Sequence, residues 1–215
     1  MKLKFVIDKK YDMKAAKALS VLRRYTKEDL DSMESIYQGS MKYLKLTQAL
    51  YQKSWDEINK EFSDYVEKIT GYKWAFKEYK CVISVINPGA SNWGGSSIIL
   101  RWWKDNPYFM RRITAHELII HHYFEIYNRK FKNEGLADEQ VWALAEIAAY
   151  TLTSLPKEVK KWWPWNTNYF GSYYSNTGYP QLDELRRKLK QPFLKRKSFD
   201  DYVKKGIKLV KNIQK

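Results

Sequence analysis

Three observations predict an α+β fold with a small mixed sheet and helices elsewhere. Residues 80–86 and 97–102 are short runs rich in β-branched side chains, separated by a glycine- and asparagine-rich stretch, residues 87–95. Apolar residues recur at helical spacing from Met13 to Thr70, through Met33, Tyr37, Leu44, Trp55, Phe62 and Tyr65. A third stretch, residues 107–130, is helical in pattern and carries all 3 histidines of the protein.

The elements follow in order. Residues 2–8 alternate enough to form a strand, placed at the margin of a sheet. The helical region after it has a candidate break at Gly39 and Ser40 and a C-cap signal at Gly71. The runs at 80–86 and 97–102 supply two more strands, compatible with a plain hairpin across a loop at 87–95. Asn106 and Pro107 offer an N-cap and a first helical residue for the next helix. That helix runs to about Lys130. Residues 133–138 read as a turn, and residues 139–152 as a second helix, apolar on nearly all sides, which Pro156 terminates. Residues 162–179 form an aromatic, amide-rich connection. Residues 182–189 and 199–213 read as two basic amphipathic helices that cover the core.

No repeat or low-complexity linker divides the chain. Its 215 residues suit one compact domain over 1–215, helical in 1–79, with a core at 80–155 and an aromatic loop plus basic helices at 156–215. A hydrophobic fraction of 44% excludes a disordered chain. The single cysteine, Cys81, cannot form a disulfide within the chain, which suits a reducing, cytoplasmic setting. The longest near-apolar run, residues 141–155, is too short to span a bilayer, so no membrane partner is expected. The net charge of +15 suits anionic partners, nucleic acid among them. The lysines are scattered through every segment, however, as on an ordinary solvated surface.

The chemistry concentrates in residues 113–125, where His116, Glu117, His121, His122 and Glu125 stand in an apolar helix. Buried imidazoles and carboxylates need partners, or they cost stability. His116 and Glu117 followed by His121 form His-Glu-x-x-His with one extra residue. The usual i, i+4 spacing sets two imidazoles about 40° apart around a helix. Here His121 lies about 140° from His116, and His122 about 120° away on the other side. A π-bulge absorbing one residue realigns His116 with His121, and with no proline or glycine between them the helix should stay continuous. The alternative is a regular helix, with Glu117, His121 and Glu125 on one face and His116 turned away, an arrangement that would reject a shared metal site for the two histidines and the zincin reading with it.

This His-Glu-x-x-x-His form resembles the motif of the dipeptidyl peptidase III family, within the gluzincin group of zinc metallopeptidases. The resemblance covers about residues 80–152. It implies a zincin-like domain with an active-site helix, a glutamate helix and an edge strand that pairs with extended peptide substrate. It implies Zn²⁺ held by His116 and His121, with His122 as the alternative second ligand. Glu117 would be the general base that takes a proton from the metal-bound water and passes it to the leaving amine.

The third ligand expected is Glu146. It is the only charged residue after Glu139 in an apolar helix, and a carboxylate there needs a cation or strong donors. If the two helices form an antiparallel hairpin turning near Asn133 and Glu134, Glu146 lies opposite His121. Glu134 and Glu139 are the alternatives. Asn133, Glu134 and Asp138 resemble the gluzincin pattern Asn-Glu-x-x-x-Asp, at a shorter distance from the histidines. Position 150, four residues after Glu146, is Tyr150 where that group carries an acid. Tyr173 or Tyr174, from the aromatic segment, is a candidate for oxyanion stabilisation. Two further readings are a basic nucleic-acid-binding module, in which aromatics stack on bases, and a catalytically inactive, metal-stabilised zincin scaffold that binds a partner.

Overall fold

The structure, a computed structural model, describes residues 1–20, 25–92, 94–164 and 182–212. It is a mixed α+β fold: β1 (Lys2–Val6), α1 (Lys9–Ser20), α2 (Lys27–Asp56), α3 (Asn59–Thr70), β2 (Glu78–Ser84), β3 (Gly89–Ser91), β4 (Ile98–Trp102), α4 (Phe109–Lys130), α5 (Asp138–Ser154), α6 (Leu182–Leu194) and α7 (Phe199–Asn212). Among the described residues no helix is long and apolar enough to cross a membrane.

The sheet has the order β1-β2-β4-β3. β1, β2 and β4 run parallel, and β3 pairs antiparallel with β4. The plain hairpin is therefore not formed. β2 and β4 are parallel neighbours, with Lys80 opposite Ile98 and Ser84 opposite Trp102. Parallel strands need a crossover of about a dozen residues. Residues 85–97 supply it, and three of them fold back as β3.

In a parallel pair, opposed residues share a face of the sheet. Leu3 and Phe5 of β1 are opposite Tyr79 and Cys81 of β2, and Ile83 is opposite Arg101 of β4. Phe5 meets Tyr51 of α2 edge-on, and Tyr79 meets His121 of α4 edge-on, so α2 and α4 lie against this one face. Lys4 and Lys80 are exposed on the other face.

Thr26 and Asp29 start α2 with a reciprocal capping box. The expected break at Gly39 does not occur, and α2 runs 30 residues. A mid-helix glycine costs about 1 kcal/mol relative to alanine. Burial of Met33, Tyr37 and Leu44 on either side of it outweighs that. Gly71 ends α3 in the left-handed region at φ 76°, its N–H donating to Glu67 O at 2.8 Å. At the start of α4, Asn106 accepts from the Tyr108 amide at 2.8 Å through its side chain and from the Met110 amide at 3.0 Å through its carbonyl. α5 packs along α4, and α6 and α7 close over α5.

Candidate active site

α4 carries the site. All its residues from Met110 to Tyr127 are buried except Ile113 and Glu125, so its polar side chains must find partners within the fold. The π-bulge is absent: Phe109–Lys130 is α-helical throughout. The regular ladder pairs backbone groups without accommodating an inserted residue, and each histidine meets a partner where that ladder points it.

His116 faces α5. Its Nε2–H donates to Glu146 Oε2 at 3.0 Å, and both side chains are almost fully buried. Burial alone would lower the His116 pKa. The charge and hydrogen bond of Glu146, with Glu117 adding to them, outweigh it and raise the pKa above its ordinary value. The expected ligand Glu146 thus meets His116, not His121. α4 ends 14 residues after His116, about 21 Å along the helix, whereas α5 begins only 8 residues, about 12 Å, before Glu146. The connection between the helices climbs back along α4 instead of turning tightly at its end.

Glu117 faces the sheet. A Cβ added at Gly89 of β3 would stand 2.8 Å from Glu117 Oε1, so strand backbone lies directly against the carboxyl. Ser91, also on β3, hydrogen-bonds to Glu117. Burial first, and then the charge of Glu146, push the Glu117 pKa up to about 7 against the opposing pull of His116, Arg101 and Ser91. Arg101, on the same face of the sheet as Gly89 and Ser91, pairs with Asp105. Arg112, one turn before His116, donates to Ser154 Oγ at 2.9 Å.

His121 and His122 do not join this group. His121 is packed on Tyr79 and Phe76, with Nδ1 3.4 Å from the Tyr79 hydroxyl and Nε2 3.8 Å from Glu125 Oε1. Glu125 is itself turned to the Gly95 amide at 2.6 Å. His122 lies against the Trp74 ring and has Nε2 3.2 Å from Thr70 Oγ1. Burial lowers both pKa values, that of His122 to about 3. Glu134 is exposed and paired with Lys211, and Glu139 is exposed on the first turn of α5. Tyr173 and Tyr174 lie outside the described residues.

As to a metal, the His116–Glu146 pair fits in part. The 3.0 Å between the His116 nitrogen and the Glu146 oxygen is a hydrogen-bond separation, so the two atoms become available to an ion only when the imidazole gives up that hydrogen, which its raised pKa opposes. The third position does not follow. Among the described residues no three His, Cys, Asp or Glu side chains are grouped to hold a metal. On a regular helix the residue on the face of His116 one turn later is Ile120, also buried.

Sequence reasoning missed Gly89, Ser91 and Arg101. The small residues Gly89, Ala90 and Ser91 inside a loop-like stretch were the available signal, since a glycine in a strand marks close approach of another group. Compared with known proteins, the chain matches no family model, no curated protein and no solved structure.

Proposed function

We propose that the chain is a metallopeptidase-like hydrolase, working on the face where α4 meets α5 and β3, without the two-histidine site of a zincin, since His116 and His121 face different neighbours on a regular α4. The seat of Glu117 carries this reading. It is a buried carboxyl with a pKa near 7, pressed against the last strand of the sheet and beside the His116–Glu146 pair. A group that changes protonation near pH 7 is matched to accepting and returning a proton. His116, once deprotonated, and Glu146 would give Zn²⁺ two of the three protein ligands of a catalytic site, and an ion so held would supply a polarised water and a Lewis acid for the peptide carbonyl. The remaining work falls to the chain. Glu117 takes the proton and returns it to the leaving amine, Ser91 orients its carboxyl, and Arg101 moderates its charge. A terminal strand such as β3 offers main-chain groups to extended peptide, so the substrate class is a peptide or protein.

The test uses protein purified without an affinity tag and assayed with added zinc on a mixed peptide library. Zinc-dependent cleavage is expected from the native chain. Glu117→Gln should lose it while retaining the native zinc content. Cleavage that survives Glu117→Gln, or none at saturating zinc, removes the peptidase reading. Ile120 at the place of a second histidine favours a second reading, a scaffold that binds peptide along β3 without turnover. Peptide binding with no cleavage, unchanged in Glu117→Gln, would identify it.

A further inference from the structure

Large apolar side chains exposed at the surface are concentrated in one place. Among the described residues six are exposed: Tyr43, Leu46, Leu50, Tyr108, Phe109 and Leu194. All but Leu194 lie on α2 or at the start of α4. These two segments are fastened together by Thr47 Oγ1 to Trp103 O at 3.2 Å, Tyr51 Oη to Trp102 O at 2.8 Å and Ser54 Oγ to Pro107 O at 2.6 Å. Tyr43, Leu46 and Leu50 follow i, i+3, i+7 spacing and so form one stripe along α2. Tyr43 is 59% and Leu46 57% exposed, more than side chains of a closed core margin need to be. Contiguous exposed apolar surface of this kind marks an interaction site.

The charges around the stripe select its partner. Lys42, Lys45 and Lys53 are exposed along the same helix, and Lys104 Nζ sits over the Trp103 ring at 5.1 Å. Of the nearby acids, Asp105 is engaged by Arg101 and Glu57 by Arg111, and Asp56 accepts from Gln52 Nε2 at 2.8 Å. The patch is therefore leucine and aromatic rings bordered by lysine, on a protein of net charge +15. We infer that this face, α2 with the segment leading into α4, docks on an anionic lipid surface, the leucines and rings entering the headgroup layer and the lysines meeting lipid phosphates. This is the pattern of helices that lie in a membrane interface without crossing it. It is independent of the α4–α5 site and of the activity proposed for it.

The experiment is co-sedimentation of the full chain with phosphatidylglycerol vesicles, against phosphatidylcholine vesicles and a random oligonucleotide. Binding to phosphatidylglycerol only, weakened by salt, is expected. Leu46→Ser with Leu50→Ser should lower the bound fraction at least tenfold, and Lys42→Gln with Lys53→Gln should do likewise. Should the double serine variant not fold, Leu46→Cys carrying an environment-sensitive fluorophore replaces it. Cys81 is fully buried, so the label goes to position 46. A blue shift on phosphatidylglycerol vesicles supports the inference. An unshifted probe, binding indifferent to the leucine changes, no vesicle binding, or binding to the oligonucleotide alone overturns it.

Discussion

On the side of α4 that meets α5, a buried histidine is paired with one buried carboxyl, and a second buried carboxyl feels the charge of both. On the side that meets β2 and the end of α3, two histidines are buried among aromatic rings and hydroxyls. Burial is common to both, so burial does not decide the chemistry. Neighbours do. Glu146 turns the desolvation penalty on His116 into a raised pKa, whereas His122, buried against Thr70 and Trp74 with the charges of His121 and Arg129 adding to its burial, falls to about 3. The two sides also have opposite signs in pH. A carboxyl raised from 4.5 to about 7 gives stability that is fully present below 4.5 and lost as pH rises through 7. A histidine depressed from 6.5 to about 3 gives stability that is present above 6.5 and lost as pH falls through that window.

Glu117→Gln tests the first side and carries the largest expected effect. Peptide hydrolysis should fall about 10²–10⁴-fold, the worth of a positioned acid–base group. The loss of stability between pH 4.5 and about 7 should shrink in the same variant, read as urea midpoints across that range. If both profiles match the native chain, Glu117 is not the group that distinguishes this side. His122→Gln tests the second side. Two pH units below 6.5, the native chain should have lost about 2–3 kcal/mol through this histidine, at roughly 1.4 kcal/mol per unit. The variant should lack that loss. Comparison of urea unfolding at pH 7 and pH 4.5 separates it from any constant packing defect at Trp74. An unchanged gap would mean that His122 is not held neutral.

The contrast between the two sides explains what the sequence could reveal. The α+β class, β1, the extent of α4 to Lys130 and the cap at Gly71 all follow from period and punctuation, which are local. That Glu146 needs a partner was legible from its isolation in an apolar helix. Which histidine it meets was not, because that depends on where the connection after Phe131 lets α5 begin. β3 escaped notice because three small residues carry no β signal. Their role arises only from the pairing with β4, which brings Gly89 onto Glu117.

Ile120→His asks whether the α4–α5 side is shaped for a metal. In a regular helix position 120 lies one turn beyond His116 on the same face, so the variant adds a second imidazole beside the His116–Glu146 pair. Without zinc it should be destabilised by roughly 1–3 kcal/mol, since a polar group replaces a buried apolar one. With zinc at about a hundred times its dissociation constant, about 2.7 kcal/mol should return. Zinc affinity, read by competition with a chromophoric chelator, should exceed that of the native chain by more than tenfold. If affinity does not rise, the pair is a structural ion pair, and the two sides of α4 differ in protonation alone.

The smallest expected effect belongs to Gly89→Ala, and it tests what holds Glu117 in place. The added methyl would stand 2.8 Å from Glu117 Oε1 and 3.3 Å from Ile113 Cγ2. Neither the strand nor the helix behind those atoms is free to retreat, because β3 is paired with β4 and α4 is buried along most of its length. The carboxyl should therefore rotate and lose Ser91, with a stability cost of roughly 1 kcal/mol, the low end for an added methyl group in a packed interior. Activity should fall further than that cost implies, because the base is displaced while the fold survives. Gly39→Ala is the matched control. Nothing lies within 4 Å of its added Cβ, and in mid-helix it should stabilise by about 0.5–1 kcal/mol. Opposite signs for the two glycines would show that close approach to Glu117, and not the loss of glycine as such, sets the outcome. Equal effects would mean that β3 does not press on Glu117, and the first side of α4 would lose the contact that sets its base apart from the histidines on the second.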